Sequence, residues 1–419
     1  MRPNLKATRG FQQGLRQLGP GLITGAADDD PSGIATYSQA GAQFGLGMLW
    51  TVVFTLPLMA AIQLVSARIG YVTGDGLSAN IRAHYPRWIL YVCVGLLVGA
   101  NTLNIAADIA AMAEALRLLV GGSAHVYAVT FGLACLVLQV FLPYATYVRW
   151  LKWLTLALFA YVAVVLSVRI DWLAVARSVV WPALPGGHDT LLTIVAVLGT
   201  TISPYLFFWQ AAQEVEDKAF RPHSVEEVDS ELARIRLDTV VGMSFSNLIA
   251  FCIMLSTAAT LHAAGVHDIE TSSQAAEALR PIAGDFTFLL FGLGIIGTGM
   301  LAVPVLAGSA AYAVAGATGW SGSLSLRLDK GEGHGFYGVI AAATIGGMVL
   351  CFTPTDPVRE LFWSAVINGV VAVPIMAVLM RLASNPKVMG EHVISRRVRW
   401  LGWLATAFMG ITVVGMFIT

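Results

Sequence analysis

The sequence predicts an all-α, polytopic membrane protein of about eleven transmembrane helices, and three observations carry that prediction. Of the 419 residues, 57% are hydrophobic and only 12% charged, with a mean hydropathy of +0.72; a soluble domain carries about 25% charged residues, so a soluble fold of this length lacks the surface charge it needs. The apolar residues fall into runs long enough to cross a bilayer. Two of those runs are interrupted at their centres by a proline among polar residues, DDDPSG at 28–33 and GTTISP at 199–204.

The rest of the composition narrows the function classes. Formal net charge is zero, and no basic stripe suits a nucleic acid, so none is expected as a partner. The four cysteines, Cys93, Cys135, Cys252 and Cys351, lie in apolar runs without paired spacing, which predicts neither a disulfide framework nor a CxxC metal site. Residues 1–19 are polar and the first apolar run is broken by three aspartates, so a cleavable signal peptide is not expected.

In chain order the apolar runs are 20–41, 46–70, 88–119, 125–142, 149–168, 190–215, 237–262, 284–317, 336–353, 358–382 and 398–418. The third and eighth are long enough to tilt or to begin outside the membrane. The connection from Gln213 to Leu237 is charged and helix-prone and is expected outside the bilayer. Placing the amino terminus in the cytoplasm puts most of the basic residues inside, among them Arg82, Arg87, Lys218, Arg234, Arg236, Arg381 and Arg396, and leaves Arg169, Arg177, Arg280 and Arg359 outside. That bias predicts a multi-pass cell (inner) membrane protein with its amino terminus in and its carboxyl terminus out.

The first run organises the rest. Its flanks are apolar, yet its middle holds Asp28, Asp29, Asp30, Pro31, Ser32 and Gly33. A charge near the bilayer centre costs about 2.5 kcal/mol or more, so intramembrane acids face a protein interior or a wet cavity. Pro31 removes a backbone donor, and Ser32 and Gly33 are weak helix formers, so the helix breaks and its freed carbonyls join the carboxylates. Pro204 marks a second break in the sixth run. For that proline alone a kinked structural helix is the simpler reading. Interrupted helices at the start of two five-span halves instead point to an inverted repeat with a cation site at its interface. The expected organisation is one transporter domain over 1–419, with repeats at about 20–168 and 190–382 and an extra helix at 398–418.

These residues carry a family resemblance. GPGLITGAADDDPSGIATYSQAGAQFGLGMLW, then QLVSARIGYVTGDGLSANIRAHYP, Asp108 in the third run, GTTISP in the sixth and PKVMGEH near the end resemble the Nramp (natural-resistance-associated macrophage protein) divalent-metal transporters over nearly the whole chain. The resemblance implies a leucine-transporter-like 5+5 fold with helices 1 and 6 broken, alternating access, and uptake of divalent metal as substrate, with no resident cofactor and no enzymatic activity. The implied metal residues are Asp30, Ala27 and Gly33 of the first span and Thr200 and Ser203 of the sixth, with Asp28 and Asp29 beside them.

The chain departs from the family pattern in one physical direction. The motif Asp-Pro-Gly-Asn reads here Asp30, Pro31, Ser32, Gly33, and Ala-x-x-Met-Pro-His reads Thr200, Thr201, Ile202, Ser203, Pro204, Tyr205. A thioether favours transition metals, whereas hydroxyl, carboxylate, carbonyl and water suit magnesium, calcium and manganese. Ser203 in place of methionine, with Thr200 added, hardens the site. Small side chains leave room for the waters that magnesium keeps. The pattern is similar to the Nramp-related magnesium transporters, so magnesium or manganese is expected ahead of iron. Asp108 and Glu114 are the candidate proton pathway, but Ala111 stands at the position of the family's second acid and 335–352 holds no arginine. The relay is thinned, and proton coupling is doubtful.

A sodium-coupled organic-solute symporter on the same fold is the main alternative, and an intramembrane aspartyl protease the other. The former has no need of three consecutive acids; the latter needs carboxylates from separate helices. Among the other polar residues, Asn101 and Asn104 read as interhelical packing. Asp238 reads either as the partner of Arg234 and Arg236 or as part of a metal exit, and Asn247 and Asn368 as groups able to hydrate an ion. The histidines, His262 and His267 included, sit near span ends without ligand spacing.

Overall fold

The computed structural model describes residues 20–142, 154–182, 186–220, 228–326, 332–353 and 356–419, and every regular element among them is a helix. The first span is two short helices, α1 (Pro20–Asp28) and α2 (Pro31–Phe44). The second and third are α3 (Leu49–Thr73) and α5 (Arg87–Val120), joined by the short α4 (Leu77–His84). Next come α6 (Ala124–Phe141), α7 (Phe159–Ser167) and α8 (Trp172–Val180). The sixth span is again two helices, α9 (His188–Thr201) and α10 (Pro204–Phe220). The last five spans are α11 (Val228–Thr260), α12 (Thr287–Thr318), α13 (His334–Leu350), α14 (Pro357–Ala383) and α15 (Arg396–Ile418).

Each of the eleven runs therefore carries helix, although residues 149–153 of the fifth lie outside the described residues. Among the described residues eight helices are long and apolar enough to span a membrane, or nine if the pair Leu156–Ser167 and Trp172–Val180, bent by 112°, forms one. Three features bring the number below eleven. The fifth span is that bent pair, α2 runs on with α3 as a single apolar stretch Pro31–Thr73, and α13, at 17 residues, is a shorter apolar helix. The chain is a multi-pass membrane protein.

Both breaks have a local cause. Asp30 is the N-cap of α2: its backbone is extended (φ −74°, ψ 171°), its carboxylate accepts the Gly33 N–H, and Pro31 opens the helix. Proline is already shaped for that position, where its missing N–H would have no helical partner. In the sixth span the N–H of Ile202 closes α9 on the Leu198 carbonyl, and Pro204 opens α10.

Small residues bring the broken helices close to their neighbours, as expected where apolar lipid supplies no drive for helices to associate. Gly199 of α9 lies against the backbone of Ala365 and Gly369 in α14, and Gly25 of α1 against Gly242 of α11; a Cβ at either would collide with main-chain atoms. The α9 stretch from Thr193 to Thr201 is buried throughout, whereas α6 turns much of its surface outward. At the other end of α10, Arg234 of α11 pairs with Glu231 at 2.6 Å, Asp217 at 3.1 Å and Glu214 at 3.6 Å. Asp238 accepts the backbone N–H of Gly21 at 2.8 Å, so this buried carboxylate caps the start of α1.

Candidate cation site at the two helix breaks

Asp30 is 2% exposed and is held by four donors. On Oδ1 it accepts the Ser32 hydroxyl at 2.7 Å and the Gly33 N–H at 2.8 Å. On Oδ2 it accepts the Asn104 amide of α5 at 3.1 Å and the Tyr205 hydroxyl of α10 at 3.4 Å. Tyr205 also donates to the Ala27 carbonyl at 3.0 Å, tying the end of α1 to the start of α10. The Ser364 hydroxyl of α14 donates to Asn104 Oδ1 at 2.7 Å. A polar chain from α14 through α5 thus ends on Asp30.

The sixth span meets this point edge on. A Cβ at Gly33 would lie 3.2 Å from Thr200 Oγ1 and 3.5 Å from the Asp28 carbonyl oxygen, so glycine lets the two breaks touch. Thr200 Oγ1 is buried without a hydrogen-bond partner. Ser203 turns its hydroxyl back onto its own span, 2.8 Å from the carbonyls of both Gly199 and Thr200. Its proton is thereby occupied, while its oxygen lone pairs remain able to accept or ligate. Thr201 Oγ1 and Tyr37 OH, 2.9 Å apart, join α9 to α2.

The three consecutive acids do not converge. Asp28 Oδ2 and Asp29 Oδ1 both face the Ser246 hydroxyl of α11, at 2.5 and 3.1 Å, whereas Asp30 faces α5 and α10. Among the described residues no group of three or more His, Cys, Asp and Glu side chains could hold a metal, so the break offers one carboxylate surrounded by hydroxyls, amides and carbonyls. Asp28 Oδ1, both oxygens of Asp108, Asn247 Oδ1 and both polar atoms of the Asn368 amide are buried without hydrogen-bond partners. Asp108 follows Asn104 by one helical turn on the same face of α5.

Glu114 takes no part in this cluster. It pairs with Arg117 at 2.6 Å, and the arginine side chain is 52% exposed. Asn101 packs as expected, donating to the Leu306 carbonyl at 2.9 Å and to Ser309 at 2.7 Å. Asn104 does not: the expectation of packing alone gives way to a direct bond on Asp30. Tyr205, Ser246 and Ser364 are further residues of the cluster to which the sequence analysis assigns no role at the site. For Tyr205 the signal was present, since it follows Pro204 at the break. Ser246 and Ser364 had none.

Comparison with known proteins fits this architecture. A family model described as natural resistance-associated macrophage protein-like matches residues 21–419. The chain is 28% identical over 408 residues to the divalent metal cation transporter MntH of Klebsiella pneumoniae subsp. pneumoniae, covering 94% of this chain and 92% of that one. It is 29% identical over 294 residues to the MntH of Yersinia pestis (strain Pestoides F), covering 68% and 69%. The fold matches a crystal structure of the Eremococcus coleocola manganese transporter with a TM-score of 0.76 at 19% identity, over 97% of this chain and 87% of that one. It also matches MHP1, a nucleobase-cation-symport-1 family transporter, with a TM-score of 0.61 at 15% identity, over 96% and 87%. These two likenesses are of fold, and they agree with the leucine-transporter-like arrangement expected from the sequence. With the family model spanning all but the polar amino terminus, the chain belongs to the Nramp family.

Proposed function

We propose that the protein carries a divalent cation across the membrane by alternating access, with Asp30 as the charge that holds the ion and magnesium or manganese preferred over iron. The observation that carries this reading is the chemistry at the two breaks. One buried carboxylate lies among hydroxyl and amide groups with the Ala27 carbonyl and Thr200 Oγ1 close by, and Ser203 stands where the family places a thioether. An all-oxygen set with a single charge suits a hard ion that keeps part of its water shell. Thr200 Oγ1, the Ala27 carbonyl and the Asn368 amide are the groups that would meet the ion or its waters. The names of the relatives, a divalent metal cation transporter and a manganese transporter, point the same way.

Coupling is proposed to be weak or absent. Asp108 lies one helical turn from Asn104 on α5, but Glu114 is engaged with an exposed arginine, and a relay needs an unbroken series of titratable groups. The bias of basic residues supports a cytoplasmic amino terminus and an external carboxyl terminus, and the two breaks at matching ordinal positions support repeats at 20–168 and 190–382 within one domain. The same fold also serves MHP1, so an organic solute is the competing substrate class. Uptake into proteoliposomes decides between them. Entry of magnesium or manganese without any sodium requirement is expected, and sodium-dependent uptake of an organic solute with no metal flux would overturn the proposal.

A further inference from the structure

The outer face of α11 carries a charge that the rest of the fold does not neutralise. Along this helix Leu237, Val240, Val241 and Leu248 are exposed and recur at helical spacing, so they form one stripe. In a chain that spans a membrane, such a stripe meets lipid. Arg236 stands at the head of the stripe, exposed, and among the described residues it makes no hydrogen bond or ion pair. The opposite face of the same turn is committed to α1, where Asp238 holds the Gly21 N–H.

Arg236 opens onto a groove of about 600 Å³ that it shares with Arg68 of α3. Leu232, Leu237 and Val240 give the groove apolar walls, and Asp229 lines it as well. Arg68 is half-buried and donates its Nε–H to the His392 carbonyl at 2.9 Å, a bond that orients the guanidinium without neutralising it. Asp229 acts on Arg68 through space, but the two form no ion pair. Two arginines against one aspartate leave the groove positive. The start of α15 adds to this charge: Val398 and the groove residue Leu232 pack on one small cluster, and the exposed Arg397 and Arg399 flank Val398 in sequence. Trp400 follows, also exposed, and tryptophan favours the boundary between the apolar core of a bilayer and its headgroups.

We propose that this groove binds an anionic phospholipid, with the phosphate on Arg68 and Arg236 and an acyl chain along Leu237, Val240 and Leu248. The planar guanidinium fork matches phosphate oxygens, and basic pockets between membrane helices suit anionic headgroups. A soluble anion has no use for the apolar walls, which continue into the lipid-facing stripe. On the orientation proposed above, the lipid belongs to the cytoplasmic leaflet. It braces α11 from its outer face at the level where Asp238 holds α1 on the inner face.

Native mass spectrometry of the purified full-length chain in neutral detergent, titrated with phosphatidylglycerol and with phosphatidylcholine of the same chain length, tests this. Phosphatidylglycerol should bind the wild type the more tightly. Arg236→Gln should weaken that binding about fivefold, the effect of one basic residue at an anionic surface, and leave phosphatidylcholine binding unchanged. Because Arg236 is exposed and without a partner, its substitution spares the fold and carries the test if Arg68→Gln does not fold. Arg87→Gln, at an exposed arginine that opens α5 outside the groove, should bind both lipids as the wild type does. Equal affinity of the wild type for the two lipids, or wild-type affinity for phosphatidylglycerol in Arg236→Gln, would overturn the proposal. An equal loss in Arg87→Gln would do the same by showing only diffuse attraction, and displacement of the lipid by excess inorganic phosphate would show a site for the anion alone.

Discussion

Asn104 donates its side-chain amide to Oδ2 of Asp30 at 3.1 Å, and so joins the middle of the third span to the break in the first. The bond fixes which carboxylate oxygen faces α5 and leaves the orientation of Asp30 dependent on a residue 74 positions away. A hydrogen bond to a charged group contributes about 1.5–3 kcal/mol. Asn104→Ala should therefore raise the dissociation constant for magnesium about tenfold or more, as roughly 1.4 kcal/mol corresponds to a factor of ten. Ser364→Ala, which acts through Asn104, should have a smaller effect in the same direction. Binding calorimetry on the two variants checks the order.

Asp30→Ala should abolish binding and transport of the divalent ion while the protein still inserts, because it removes the carboxylate that Asn104 of α5 and Tyr205 of α10 hold at the break. Asp30→Asn is the companion variant, since its side-chain oxygen can still cap α2 through the Gly33 N–H. Loss of binding in both, with a normal size-exclusion profile for Asp30→Asn, separates the charge from the cap. Retention of wild-type affinity in Asp30→Asn would remove the carboxylate from the site.

Ser203→Met exchanges a hydroxyl for the family's thioether and should shift selectivity from magnesium toward the softer cadmium. The quantity to measure is the ratio of magnesium to cadmium binding constants in one preparation, and a change of about tenfold is expected, or roughly 1.4 kcal/mol. The substitution also strips the Gly199 and Thr200 carbonyls of a donor, so a modest loss of thermal stability should accompany it. An unchanged ratio would mean that this side chain faces away from the ion.

Metal uptake should proceed without acidification of the liposome lumen, and an imposed pH gradient should alter its rate little. Glu114→Gln should leave uptake unaltered, because its partner Arg117 lies at the exposed end of α5. Metal-dependent proton entry that disappears in Glu114→Gln would reverse both statements.

Gly199→Val should destabilise the protein by about 1–3 kcal/mol or prevent its folding, since the added atoms meet the backbone of Ala365 and Gly369. Thermal unfolding in detergent measures the loss. A stable Val variant would show that α9 and α14 can move apart at this crossing.

What the sequence revealed follows the range of the interactions. Asp30, Pro31 and Gly33 form a helix start within four residues, and a helix start is written locally. The same holds for Pro204. Asn104, Ser246 and Ser364 could not be assigned, because an apolar helix does not record which of its few polar residues turns inward; the neighbouring helix decides that. Asn104 and Asp108 are one turn apart and share a face, so the register was hinted at. Glu114, six residues beyond Asp108, points roughly 120° round the helix from that face, in keeping with its pairing with Arg117 instead.

The four donors around Asp30 bear on the half of the cycle in which nothing is carried. A carrier must return across the membrane unloaded, and a bare carboxylate at mid-membrane would raise the barrier to that return. Here the Asp30 carboxylate accepts hydrogen bonds from its own helix start and from Asn104 and Tyr205, and under the proposed uncoupled cycle these donors would stabilise it while no ion is bound. If transport is uncoupled, as proposed above, the protein would act as a facilitator whose net flow follows the electrochemical gradient of its ion.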